Sequence, residues 1–298
     1  IGTVYFKNVW AARNDYIELI LDRSLDAQHK FFLRHATEKA WNDRSTALML
    51  LEMQRMAMLM YTSCGWFFDE VSGLETGQIM QYACRAMELN RALCAVDLEP
   101  EFIQRMEKAP SNLPEIKNGA VAYERYVKPQ VASLEKMALS HVVTLLADET
   151  TNPQKAYACD VLHYEPVKLA ADGMQLVYGY ITLKSRITLE EKTIPFAVFR
   201  KGPAHLTCVA GADQPDQVFE QLKAQFEDHQ YEACEASLRQ HFKIEVPLSS
   251  MFMDVRRLVV EQVLRQMDDE SSLIYTALFE KQYPVVRGLQ LLGTPIPK

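Results

Sequence analysis

Three consecutive aromatics, Trp66, Phe67 and Phe68, run directly into two carboxylates, Asp69 and Glu70, at a break marked by Gly65 in an otherwise helical stretch. These residue types can grip a sugar: an apolar ring face stacks on an aromatic side chain while the hydroxyls bond carboxylates, with Gln78 as a further hydroxyl partner. A helix end suits the task because its backbone groups and side chains are not all consumed within the helix. The competing reading makes the same rings core anchors at a helix junction, the commoner fate of large apolar side chains.

Other chemistries are poorly supplied. Cys159, His163, His205 and Cys208 fall on two expected strands. Alternation puts Cys159 and His163 on one face, but His205 and Cys208, three apart, on opposite faces. Without a bulge the four do not converge, and their spacing lacks the tight knuckles of structural zinc, so neither a metal nor another cofactor is expected. There is no Gly-x-Ser-x-Gly elbow, and Cys64, beside Gly65, is expected to be a buried thiol at a helix end. The glycines stand singly, with no phosphate-cradling loop. Asp69, Glu70 and Glu75 cluster beside Trp66, yet neighbouring side chains diverge, and Glu75 is claimed by the capping box Ser72-Gly73-Leu74-Glu75. No catalytic residue is therefore assigned, and the chain alone should not catalyse. Glu52 and Arg55, three apart on a helix, read as a surface pair, or as a buried bridge if that helix is enclosed. His141 reads as a core histidine.

The elements that would position these residues follow from periodicity. Helices are expected over Val4–Asp22, capped by Thr3, over Leu25–Thr37, and from an Asn42 or Asp43 cap through Met60, this last apolar around much of its girth and central. A helix from the Ser72 box to Cys94 and one over Glu99–Lys108 follow, then a Pro110/Pro114 loop. The helical period returns over Val121–Ala147, where Pro129 must kink or restart the helix. After Asn152-Pro153 the pattern changes. Lys155–Tyr164, Gln175–Leu189, Lys192–Arg200 and Ala204–Ala210 read as about four antiparallel strands, with turns at Asp172-Gly173 and Lys201-Gly202-Pro203. Helices over Pro215–Asp228, Gln230–Phe242, Ser249–Met267 and Glu270–Leu292 are candidates to cover the sheet. The fold class is α+β, mostly α: a helical bundle over 1–150, then a small antiparallel sheet with covering helices over 151–298.

A net charge of −7 with scattered basic residues gives no footprint for a phosphate backbone, so nucleic acid is not an expected partner. No run approaches the roughly 18 uninterrupted apolar residues of a membrane span, so no membrane association is expected. Six well-separated cysteines read as reduced and mostly buried, in a cytoplasmic protein. The start Ile1-Gly2-Thr3, entering at once a helical pattern, is what a piece of a larger polypeptide would show.

The run Leu50-Leu51-Glu52-Met53-Gln54-Arg55, continuing through Met60 to Glu70 and on through Ser72-Gly73-Leu74-Glu75-Thr76, resembles an uncharacterised domain that follows the catalytic barrel in family 57 glycoside hydrolase-like proteins. Tyr123-Glu124-Arg125-Tyr126-Val127-Lys128-Pro129, Leu134-Glu135-Lys136 and Leu248-Ser249-Ser250-Met251-Phe252 with Asp254 agree. The resemblance implies an accessory region of a glycoside hydrolase or α-glucan transferase, packing on an N-terminal barrel of the same polypeptide and helping to form a cleft for an α-glucan or oligosaccharide. It also implies that Trp66-Phe67-Phe68 matches a family Trp-Phe-Trp motif, with Gly65 in place of the family's Asp and Phe68 in place of its second Trp. The barrel's own catalytic acids have no counterpart here. The alternative is a structural or protein-interaction module that touches no sugar.

Overall fold

The computed structural model describes residues 1–291 except Glu149, Pro203 and Ala204, and only the backbone of Trp66, Leu289 and Gln290. In chain order the helices are α1 (Gly2–Tyr5), α2 (Val9–Leu21), α3 (Leu25–His35), α4 (Glu38–Asn42), α5 (Arg44–Leu59), α6 (Cys64–Phe67), α7 (Leu74–Cys94), α8 (Glu99–Met106), α9 (Gly119–Ala122) and α10 (Leu134–Ala147). Strands β1 (Lys155–Ala156), β2 (Cys159–Ala171), β3 (Met174–Ser185), β4 (Glu191–Lys201) and β5 (His205–Ala212) follow, then α11 (Pro215–Glu227), α12 (Tyr231–His241), β6 (Phe242–Glu245) and α13 (Met253–Leu291). The class is α+β, mostly α. Two compact units emerge: residues 1–138, 153–164 and 181–194, and residues 139–152, 165–180 and 195–298. No single cut at 150/151 reproduces them, because α10, β2, β3 and β4 each begin in one unit and end in the other.

In the first unit, successive helices start on side-chain caps: Asn8, Ser24, Thr37 and Asp43 accept the backbone N–H groups of Ala11, Ala27, Ala40 and Thr46. Each cap satisfies a donor that the first helical turn leaves open. The single helix expected over Val4–Asp22 is instead two, since Phe6 leaves the helix to bridge Ala36 and Asn8, not Thr3, caps the restart. Tyr16, Leu19, Phe31, Phe32, Leu48 and Leu51 form one core cluster, and Met80, Cys84, Ile116, Tyr123 and Val127 a second. The central position expected of α5 holds for its first half: Ala47 to Glu52 supply its buried residues, whereas Met58 is 49% exposed. Around Pro129 the chain passes from α9 through a π turn (Tyr123–Val127) and a 3-10 turn (Lys128–Gln130) before α10 begins, the restart that a missing backbone donor requires.

The six strands lie in the order β1-β2-β3-β4-β5-β6, a meander in which every spatial neighbour is the next strand in sequence. The expected strand over Lys155–Tyr164 is folded back on itself: Tyr157 takes φ 55°, and Ala156 pairs with Cys159. The Asp172-Gly173 turn is as expected, both residues having positive φ, the geometry of a tight hairpin. Of the other expected turn, Gly202 has φ 73°, and Pro203 lies outside the described residues, as does Ala204 at the start of the expected last strand. Gly179 permits a close strand approach, since a Cβ there would stand 2.0 Å from the Glu165 carbonyl oxygen.

In the second unit α11 and α12 cover the sheet: Val218, Phe219, Leu222, Phe226, Cys234 and Leu238 pack with Leu176, Tyr178, Ala197, Phe199 and Val209. The two helices expected over Ser249–Met267 and Glu270–Leu292 are one, α13, because Asp268-Asp269-Glu270 contains neither glycine nor proline to end it. Leu292 lies outside the described residues. Burial in α13 is confined to its start, at Val255 and Val259; Leu264, Met267, Leu273 and Ile274 are exposed. Among the described residues no helix is long and apolar enough to cross a membrane.

Candidate functional site

The aromatic turn is built from the end of α5. The Thr62 hydroxyl donates to the Leu59 carbonyl at 2.9 Å, and the chain enters the one-turn helix α6 with Phe67 N–H bonded to the Ser63 carbonyl. Here α6 lies against α7 so closely that a Cβ on Gly65 would stand 2.9 Å from Ile79 Cγ1, which accounts for glycine at this position. Phe67 is 73% exposed and Phe68 51%, their rings edge to face at 5.2 Å, and Tyr61 beside them is exposed as well. These rings are surface, not core. The Trp66 side chain lies outside the described residues.

The two acids play different parts. Asp69 is exposed, and its carbonyl accepts the Asn112 amide at 2.7 Å. Glu70 is a clasp: Oε1 accepts Ser72 N–H (2.8 Å), the Ser72 hydroxyl (2.6 Å) and the Ser111 hydroxyl (2.7 Å), while Oε2 accepts Asn112 N–H (2.7 Å). The Ser72 and Ser111 hydroxyls lead in holding its carboxyl down at about 2. The carboxylate thus ties the 109–114 loop to the turn. Because Ser72 serves Glu70, the expected capping box does not form: Gly73 caps α7 without a side-chain bond. Gln78 is exposed on α7.

Cys64 is exposed, contrary to the expectation of a buried thiol, because α6 ends within one turn and none of the described elements covers it. Cys84, Cys159, Cys208 and Cys234 are buried, and burial pushes Cys159 and Cys234 up to about 11 and Cys208 to about 12, away from nucleophilic use. All six thiols are free. His141 is buried on α10. Among the described residues no group of three or more His, Cys, Asp or Glu is arranged to hold a metal ion.

A second feature in the same unit went largely unread in the sequence: a cleft of about 670 Å³ lined by α5, α7, the start of α10 and the β3–β4 turn. On its wall Glu52 is 4% exposed and accepts three donors: the Tyr16 hydroxyl (2.5 Å), Arg23 Nη2 (3.0 Å) and Arg55 Nη1 (3.3 Å). Burial and the Glu52 charge together push the Tyr16 phenol far above its ordinary value. Arg23 also donates to the Ile187 carbonyl at 3.1 Å, tying the α2–α3 connection to the β3–β4 turn. Glu135, buried on α10, pairs with Lys192 at 2.5 Å. The (i, i+3) spacing gave the Glu52–Arg55 pair, here with the carboxylate buried and the guanidinium partly exposed; no spacing rule connects position 23 to 52 or 135 to 192.

The model of a family described as a domain of unknown function (DUF3536) matches residues 1–252, most of the chain. No curated protein and no solved structure matches.

Proposed function

This chain belongs to the DUF3536 family, and we propose that it is an accessory region of a family 57-like glycoside hydrolase or glucan-processing polypeptide, whose aromatic turn helps to line a carbohydrate cleft beside the catalytic barrel. The observation that carries the reading is the exposure of Phe67 and Phe68 next to Trp66, on a turn held in place by the Glu70 clasp. A sugar-binding platform needs ring faces open to ligand and little freedom to lose on binding, and large aromatics left in water call for a covering partner or ligand. Asp69 and Gln78, both exposed, are the proposed hydroxyl partners. Glu70 acts one step back, by fixing the turn. In this reading the proposed barrel supplies the acid and the nucleophile, and turnover falls to it.

The alternative, a structural or protein-interaction module without sugar contact, is favoured by one observation: Glu70, one of the two carboxylates that follow the aromatics, is engaged by its own loop. Isothermal titration separates the two. Maltooligosaccharides are titrated into the chain alone and into the chain joined to its proposed barrel, with Trp66→Ala and Phe67→Ala in each. Binding by the joined form that falls in the variants supports the cleft; joined protein that is folded and binds no glucan leaves the interaction module.

A further inference from the structure

The cleft that Glu52 borders leaves one of its cations incompletely paired. Its lining arginines and lysine are paired: Arg85 with Glu88 (3.1 Å), Arg91 with Asp97 (3.6 Å) and Lys192 with Glu135 (2.5 Å). The exception is Glu52, a single carboxylate shared by Arg23 and Arg55. Arg23 is further engaged by the Ile187 carbonyl, whereas Arg55 spends only Nη1, on Glu52, and the rest of its guanidinium has no acceptor among the described residues. A cation partly withdrawn from water, with its one acid already shared, is where an anion gains most.

Two further features of the lining complete the site. Glu190, in the turn before β4, is a lining carboxylate with no ion-pair partner among the described residues, and Gln81 and Gln130, bonded to each other at 2.8 Å, also face the cleft. At about 670 Å³ the space exceeds what a bare oxyanion needs and falls in the range of small-molecule sites.

We propose that this cleft binds a small polyhydroxylated anion, a sugar phosphate or sugar acid, with its acid group on Arg55 and its hydroxyls toward Glu190, Gln81 and Gln130. The site shares no residue with the aromatic turn, so it stands or falls independently of glucan binding there. Arg55 supplies charge-assisted bonds to the acid group, and the Glu190 carboxylate and the amides of Gln81 and Gln130 supply acceptors and donors for the hydroxyls.

Titration calorimetry of the full chain with glucose 6-phosphate, gluconate, glucose and inorganic phosphate tests it. The expected result is saturable binding of glucose 6-phosphate, gluconate or both; which of the two binds identifies the acid. Glucose and inorganic phosphate should each bind at least about tenfold more weakly, each lacking one half of the recognition. Arg55→Gln, which leaves the Arg23–Glu52 pair in place, should weaken binding by about tenfold or more, with Arg55→Lys intermediate. Glu190→Ala, which removes a carboxylate without an ion-pair partner and so spares the fold, should weaken the hydroxylated anion and leave inorganic phosphate unchanged. The proposal is overturned if neither hydroxylated anion binds saturably, or if both Arg55→Gln and Glu190→Ala, shown folded by circular dichroism, bind as the parent does.

Discussion

Replacing Glu52 by glutamine tests the reading of the first unit most directly. The substitution is nearly isosteric, so it removes charge rather than volume. Three donors converge on this carboxylate: the Tyr16 hydroxyl at 2.5 Å, Arg23 at 3.0 Å and Arg55 at 3.3 Å. Glutamine offers one carbonyl oxygen and brings two N–H donors of its own, so at least one arginine loses its acceptor. Breaking a buried pair by removing one partner costs about 3–5 kcal/mol, because the other charge is left uncompensated. Here the carboxylate is 5% exposed but Arg23 and Arg55 are 25% and 31% exposed, so water recovers part of the loss. The expected destabilisation is therefore about 3 kcal/mol, the low end of that range. Equilibrium urea unfolding of the Glu52→Gln and parent chains measures it, and Glu18→Gln is the control. Its pair with Arg34 is about half exposed, so it should cost less than about 1 kcal/mol. A double-mutant cycle with Tyr16→Phe should give a coupling of at least about 0.5 kcal/mol, since both changes act on one buried network. A Glu52→Gln loss no larger than that of Glu18→Gln would refute the argument that the buried, shared Glu52 carboxylate stabilises its unit.

Three further predictions bear on the turn and the sheet. Phe67→Ala and Phe68→Ala, made at exposed positions, should change unfolding free energy by no more than about 0.5 kcal/mol, while in the barrel-joined protein they weaken glucan binding; a large stability loss would show that the rings are packed. Glu70, held at about 2 against an ordinary 4.5, stabilises the fold above the ordinary value, and that contribution fades as pH falls from about 4.5 through 2. Acid titration of protection in the 109–114 loop, followed by hydrogen exchange, should show this loss in the parent, and Glu70→Gln should remove the pH dependence across that window. Gly179→Ala should destabilise the second unit by at least about 2 kcal/mol in urea unfolding, because the new Cβ would meet the Glu165 carbonyl at 2.0 Å with φ at +149°. A neutral result would mean that the β2–β3 approach is looser than it stands.

Much of the fold could be read from local pattern. The switch from helical to alternating periodicity after Asn152-Pro153 marked where the strands begin, Asp172-Gly173 announced its hairpin, and Pro129 announced a helix restart. These are near-neighbour effects, set by φ preferences and by which backbone donors exist. The failures share a cause in longer range. Phe6 leaves its helix because Ala36, distant in sequence, offers a bridge; Ser72 abandons its capping role because Ser111 and Asn112 bring their loop to Glu70.

For the candidate sites the division is sharper. The aromatic turn was visible as a string of residue types at a helix break, and what tertiary structure decided was which way the residues act: Phe67 and Phe68 outward, Glu70 inward as a clasp. The cleft was not visible at all beyond Glu52 and Arg55, since Arg23, Glu135, Thr188 and Lys192 meet around it only through chain crossings that no periodicity encodes. Sequence alone determined most of the elements, because hydrogen bonding and side-chain period act over a few residues. Tertiary structure alone decided the burial of Glu52 and the sharing of its charge, because desolvation depends on everything packed around a group and not on its neighbours in the chain.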